Sequence, residues 1–96
     1  MPLHPQIAAL VAQLEDLSAF LRAQGDRVWS GRIDLCRHLV ADSNFAGVER
    51  FLRLFEGEAS MADLQLSDAA STTRLGELNR AARILAERLA KEEGSD

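Results

Sequence analysis

Residues 7–21 read IAALVAQLEDLSAFL, and the spacing of their large apolar side chains decides the fold. The side chains that recur at 3-4-3-4 spacing are Ile7, Leu10, Leu14, Leu17 and Leu21. This repeat follows the turn of an α-helix, so all of them share one stripe. Pro5 suits the first turn of a helix, and Gly25 suits the position just beyond its last turn. We therefore predict a helix over residues 5–24.

Three further segments carry the same helical pattern. Apolar side chains recur at helical spacing in residues 26–41, 45–56 and 69–92, and Asp26 is placed to cap the first of these segments. No stretch alternates apolar and polar residues for long enough to indicate a strand. The fold class predicted from the sequence is therefore all-α, a compact bundle of about four helices.

The remaining segments lack a sustained helical period. Residues 57–68 mix glycine, serine and carboxylates, which predicts one irregular loop. Residues 93–96 are a polar tail. We expect residues 1–92 to form a single helical domain.

Composition limits the classes of partner. The chain has 96 residues and a formal net charge of −4, which disfavours nucleic acid because phosphate binding needs a basic surface. No apolar run approaches the ~20 residues of a membrane span. Cys36 is the only cysteine, so no internal disulfide can form, and no secretory signal is recognisable at the N-terminus. We expect a cytoplasmic protein without a membrane partner.

No catalytic constellation is recognisable in the sequence. Cys36 lies on an apolar stripe, where a free cysteine acts as a small hydrophobic residue, and His38 points elsewhere on the same helix. Asp63 and Asp68 could act as an acid–base pair in a buried loop, but capping a helical segment is the simpler role. We therefore predict neither an enzyme nor a cofactor.

One set of side chains offers an alternative function. Asp34, His38 and Asp42 follow one another at i, i+4 and i+8, so they share a helix face and could supply metal ligands. With the loop residues 57–66, they would form a small-ligand or metal-binding domain. The competing interpretation is an ordinary solvated helix surface, because no second ligand pair is evident.

The third predicted helix carries more apolar surface than one stripe requires. Such surplus indicates either a central position in the bundle or an interface with another protein or a second copy. We favour a protein-interaction module, with a partner protein or a homodimer docked on this helix and the loop. The residues predicted to contact the partner are Phe51, Leu54, Glu58, Met61 and Asp63.

Residues 29–66 contain three recognisable motifs: Trp29, FAGVE at residues 45–49 and FEGEASMADLQL at residues 55–66. Together they resemble the pattern of a family of small bacterial proteins that form a domain of unknown function. The family pattern has an early Trp, then Phe-x-Gly-x-Glu, then Phe-Gly-Gly-Met-Gly-Ser-x-Asn-Asp-Leu-x-Leu. The chain departs from the pattern at Glu56, Glu58, Ala59 and Ala62.

The resemblance implies an α-helical bacterial protein of the cytoplasm and assigns no activity. Small acidic helical proteins of this kind are associated with immunity-type or regulatory roles, which they exert by binding another protein. The four departures put in doubt any function that the family's glycine-rich loop carries.

Overall fold

Four α-helices and one short 3-10 turn make up the part of the chain that the computed structural model describes, residues 4–57 and 60–93. The elements are α1 Pro5–Ala23, α2 Arg27–Ala41, α3 Ala46–Arg53, the 3-10 turn Met61–Asp63, and α4 Ala69–Glu93. No strand occurs within the described ranges. The predicted all-α bundle is therefore confirmed.

Helix α1 begins and ends as its sequence predicts. Pro5 opens it, and the His4 Nδ1 accepts a hydrogen bond from the Gln6 backbone N–H at 3.2 Å. Gly25 ends it with φ +85°, and the Asp26 N–H then donates to the Leu21 carbonyl at 2.9 Å. That bond belongs to a Schellman motif, in which a left-handed residue closes the helix.

Helix α2 is capped by a carboxylate and ends in a second Schellman motif. The Asp26 Oδ1 accepts from the Trp29 N–H at 3.0 Å, as predicted. At the other end Ser43 has φ 59°, the only positive φ at a non-glycine residue among those described. The Asn44 N–H donates to the Leu39 carbonyl at 2.9 Å. The two helix ends differ only in whether glycine or serine adopts the left-handed conformation.

The helices close into a ring around one core. Helix α1 packs against α2 and α4, and α3 packs against the same two helices from the opposite side. The leucine stripe of α1 is fully buried, as expected for the central seam. The residues without exposed surface in the core are Leu10, Leu14, Leu17, Leu21, Ile33, Cys36, Phe51, Met61, Ala82 and Ala86.

Gly47 sets the closest approach between α2 and α3. A Cβ atom at this position would lie 2.8 Å from the Leu39 Cβ and the Val40 nitrogen, and 2.9 Å from the Cys36 carbonyl oxygen. Two of those three atoms are backbone, which cannot move aside as a flexible side chain can. Only glycine allows the two helices to meet at this distance.

Helix α3 is shorter than the predicted range 45–56. It ends at Arg53, after which the N–H groups of Leu54, Phe55 and Glu56 bond three residues back instead of four. The Leu54 carbonyl accepts from the Met61 N–H at 2.8 Å, so the loop takes the place of a further helical turn. Apolar periodicity continues through residue 55 because these side chains still pack against the core.

The predicted irregular loop contains one buried anchor. Met61 has no exposed surface, and Leu64 and Leu66 pack partly against the core. The loop ends where Asp68 caps α4, with its Oδ2 accepting from the Ser71 N–H at 2.9 Å. The Ser71 hydroxyl also donates to this carboxylate, and these bonds lower the pKa of Asp68. Of the predicted polar tail, residues 94–96 lie outside the described residues.

In the described part of the chain, no helix is both long enough and apolar enough to cross a membrane.

Candidate functional site

Two of the residues predicted to contact a partner lie in the core. Phe51 and Met61 have no exposed surface, so neither can touch another protein in this structure. Phe51 instead meets Phe55 edge to face, with ring centroids 5.2 Å apart. The prediction is corrected for these two residues because α3 lies between α2 and α4 and buries its wide apolar face against both.

The other predicted contact residues are distributed differently. Leu54 is half-buried and Asp63 is exposed, each on the same side of the molecule as α2. Glu58 lies outside the described residues. Leu54 therefore keeps the position that a docking residue needs, and the surface around it includes residues of both α2 and α3.

A shallow depression lined by two leucines and two arginines lies between α2 and α3 on the outside of the bundle. Its space is about 210 Å³, and its lining residues are Arg32, Leu35, Arg50 and Leu54. Leu35 keeps 44% of its surface exposed, and Val28, two turns earlier on the same helix, keeps 64%. We call Val28, Arg32, Leu35, Arg50 and Leu54 the α2–α3 face.

Both charged residues of the α2–α3 face, Arg32 and Arg50, are positively charged. Arg32 and Arg50 form no ion pair with any described residue. The Arg32 guanidinium lies over the Trp29 ring, 4.6 Å from its centroid, which restrains the guanidinium without neutralising it. Two cations that form no ion pair with a described residue therefore lie beside the two leucines of the depression.

Cys36 lies behind this face and is closed to solvent. Burial raises the pKa of its thiol to about 11, although the positive charge of Arg50 acts in the opposite direction. A thiol in this state is neutral at physiological pH and a poor nucleophile. The predicted role of Cys36 as a small core side chain is confirmed.

The predicted metal ligands are not brought together. Asp34 is committed to α1: its Oδ1 accepts from the Ser18 hydroxyl at 2.6 Å, and its Oδ2 accepts from the Arg22 guanidinium at 2.7 Å. His38 and Asp42 are exposed. Over residues 4–57 and 60–93, no three His, Cys, Asp or Glu side chains cluster as a metal site would require.

The two loop carboxylates, Asp63 and Asp68, have different surroundings. Asp63 is exposed and borders an open depression with Trp29 and Leu64. Both carboxylate oxygens of Asp68 accept hydrogen bonds from Ser71. The structure gives Asp68 the capping role that the sequence favours for it.

The residues predicted to contact a partner did not include Arg32, Leu35 and Arg50. The available signal was the i, i+4, i+7 order of Val28, Arg32 and Leu35, which places two apolar side chains and one cation on a single helix face. Only the fold shows that this face points outward and that Arg50 lies beside it.

Comparison with known proteins adds no relative: no protein-family model matches the chain, and neither does a curated protein or a solved structure.

Proposed function

We propose that this protein is an interaction module that binds an acidic, amphipathic helix of a partner protein on the α2–α3 face. The observation that carries the proposal is the depression in which exposed Leu35 and half-buried Leu54 lie beside two arginines, neither of which pairs with a carboxylate in the described part of the chain. An apolar groove flanked by charge is a common way for a protein to receive an amphipathic helix.

The chemistry of the face defines the partner. One apolar side chain of the partner fills the depression between Leu35 and Leu54, and burial of that side chain supplies most of the affinity. Carboxylates on either side of it pair with Arg32 and Arg50, which orients the helix and speeds its association. Arginine is well suited to this because its planar guanidinium binds a carboxylate through two hydrogen bonds.

A second copy of this chain fits the face less well. In a two-fold dimer the same patch meets itself, so the arginines of one copy would face the arginines of the other. None of the four residues that line the depression is a carboxylate that could compensate for this repulsion. Charge therefore favours a different protein as the partner.

A regulatory or immunity-type role in the cytoplasm is the specific form of this proposal. A chain that acts by covering a surface of its partner needs no catalytic set, and its free buried thiol suits a reducing compartment. The metal-binding alternative loses its support, since Asp34 is held by Ser18 and Arg22.

Selection from a displayed library of helical peptides tests the proposal. We expect the peptides that bind the wild-type protein to share an apolar residue flanked by Asp or Glu. Leu35→Asp should weaken their binding about 30-fold or more, the loss of one central contact. Arg32→Glu combined with Arg50→Glu should shift the selection to peptides rich in lysine.

The matched control is Ile84→Asp, which makes the same type of change at an apolar residue that is 50% exposed on α4. It should leave peptide binding unchanged. Recovery of basic peptides by the wild type, or equal effects of Leu35→Asp and Ile84→Asp, would contradict the proposal. Light scattering supplies a separate check. If the protein is a dimer and Leu35→Asp dissociates it, the α2–α3 face binds a second copy of this chain and not a different protein.

A further inference from the structure

Gly31 lies exposed in the second turn of α2, where the packing of the bundle does not require a glycine. A Cβ atom there would meet nothing within 4 Å in the described part of the chain, whereas a Cβ at Gly47 would overlap the backbone of α2. Glycine in the interior of a helix is less stable than alanine, because the unfolded chain then has more conformations to lose. The space over Gly31 is therefore available to a molecule other than this chain.

Four exposed residues of α2 surround this space as a hole for a side chain of another helix. They follow one another at i, i+3, i+4 and i+7, the arrangement that receives a knob when two helices pack side by side. The four residues are Val28, Gly31, Arg32 and Leu35, and we call them the Gly31 hole. Val28 and Leu35, which are 64% and 44% exposed, form its two ends about 10 Å apart along the helix axis.

The side chains around the Gly31 hole define what it can receive. The Arg32 guanidinium lies over the Trp29 ring, 4.6 Å from its centroid, and Trp29 is not one of the four residues of the hole. Gly31 adds no side chain, so the hole has room for a branched or aromatic side chain. Contact with Val28 and Leu35 makes the burial of an apolar side chain favourable there.

We propose that the partner helix inserts a second apolar side chain into the Gly31 hole and so lies along α2 at a shallow crossing angle of about 20°. This inference rests on the proposed function, in which the first apolar side chain fills the depression between Leu35 and Leu54. Leu35 borders both places, so the two apolar side chains of the partner are about one helical turn apart. The partner is then an acidic helix with apolar residues at i and i+3 or i+4.

Helix α4 contains the same arrangement with polar walls. Gly76 is also exposed, and a Cβ there would meet nothing within 4 Å in the described part of the chain. The residues that take the places of Val28, Arg32 and Leu35 around it are Thr73, Glu77 and Arg80, all of them exposed. These walls offer no apolar contact to a knob, so Gly76 is the matched control for Gly31.

Selection from the displayed library of helical peptides, repeated with Gly31→Leu and Gly76→Leu, tests this inference. We expect the wild type and Gly76→Leu to select acidic peptides with two apolar residues one turn apart. Gly31→Leu fills the hole and leaves the depression unchanged, so its peptides should keep the first apolar residue and the carboxylates but lose the second apolar residue. Circular dichroism should show that both variants fold, since neither added side chain meets the bundle.

Binding of a matched peptide pair measures the effect. One peptide is taken from the wild-type selection, and the other has alanine in place of its second apolar residue. The wild type should bind the first peptide about tenfold more tightly, whereas Gly31→Leu should bind the two equally.

Three outcomes would overturn the inference. Wild-type selection of acidic peptides with a single apolar residue would remove the Gly31 hole and leave the proposed function standing. Loss of the second apolar residue in Gly76→Leu as well as in Gly31→Leu would show that the effect is not local. Selection of no acidic, apolar peptide by the wild type would remove the inference and the proposed function together.

Discussion

Helix α2 packs against α1 along one seam and against α3 along another, and the two seams are held together by different kinds of contact. Toward α1, buried Ser18 and half-buried Asp34 join the helices through a side-chain hydrogen bond, and the exposed Arg22 guanidinium also binds Asp34. Toward α3, no side chain bridges the contact at its closest point, where Gly47 lies against the backbone of α2. The first seam is specified by polar chemistry and the second by the absence of a Cβ atom.

This difference shows which seam tolerates change. A hydrogen-bonded network can lose one member and keep part of its energy, because the remaining groups find other partners or water. A backbone contact at van der Waals distance cannot be compensated in this way, since the helices must separate to admit any added atom. We therefore expect the α2–α3 seam to be the more sensitive of the two.

Gly47→Ala should produce the largest effect. The added methyl group would overlap backbone atoms of α2, and we expect the free energy of unfolding to fall by about 2 to 3 kcal/mol despite the better helix propensity of alanine. Urea unfolding monitored by circular dichroism measures this. Gly31→Ala is the control: it lies in α2, where a Cβ would meet nothing within 4 Å, and it should raise stability by up to about 1 kcal/mol. Equal effects of the two substitutions would refute the close contact.

Asp34→Ala should destabilise the other seam by a smaller amount. It removes the acceptor of the Ser18 hydroxyl, but that hydroxyl can still donate to the Ser30 carbonyl 3.3 Å away. We expect a loss of about 1.5 kcal/mol in the same urea measurement. Asp34→Asn keeps an acceptor for Ser18 and loses only the charge in the ion pairs with Arg22 and Arg37, so it should cost about 0.5 kcal/mol. A loss as large for Asp34→Asn as for Asp34→Ala would show that charge, and not the hydrogen bond, holds the seam.

The turns that lead into the two seams give the smallest expected effect. Gly25 and Ser43 occupy equivalent left-handed positions, which serine adopts at a cost of about 1 kcal/mol. Ser43→Gly should therefore raise the melting temperature, with a gain of up to about 1 kcal/mol, and Gly25→Ser should lower it by a similar amount. Changes of the same sign in both variants would contradict this equivalence.

Much of the fold follows from local patterns in the sequence. The leucines of α1 and the caps at Asp26 and Asp68 are recognisable because each depends on neighbours a few residues away. The end of α3 was not predictable in the same way. It depends on the bond between the Leu54 carbonyl and the Met61 N–H, which joins two segments that no sequence period relates.

The candidate site was harder to predict than the fold. A wide apolar face predicts burial against something, but the sequence does not reveal whether the neighbour is the same chain or another one. Phe51 faces its own core, whereas Leu35, one residue from buried Cys36, faces outward. Only the position of α3 between α2 and α4 shows which apolar side chains are buried within the chain and which remain exposed. The predicted partner contact of Glu58 stays a prediction.

The single tryptophan of the chain lies where α2 meets the loop that follows α3. Trp29 carries the Arg32 guanidinium on its ring and borders the depression formed with Ser60, Asp63 and Leu64. Its fluorescence therefore has two sources of change, one from a partner that draws Arg32 away and one from local opening of the loop that Met61 anchors. The protein thus contains its own optical reporter, and the emission spectrum can follow both events without an attached dye.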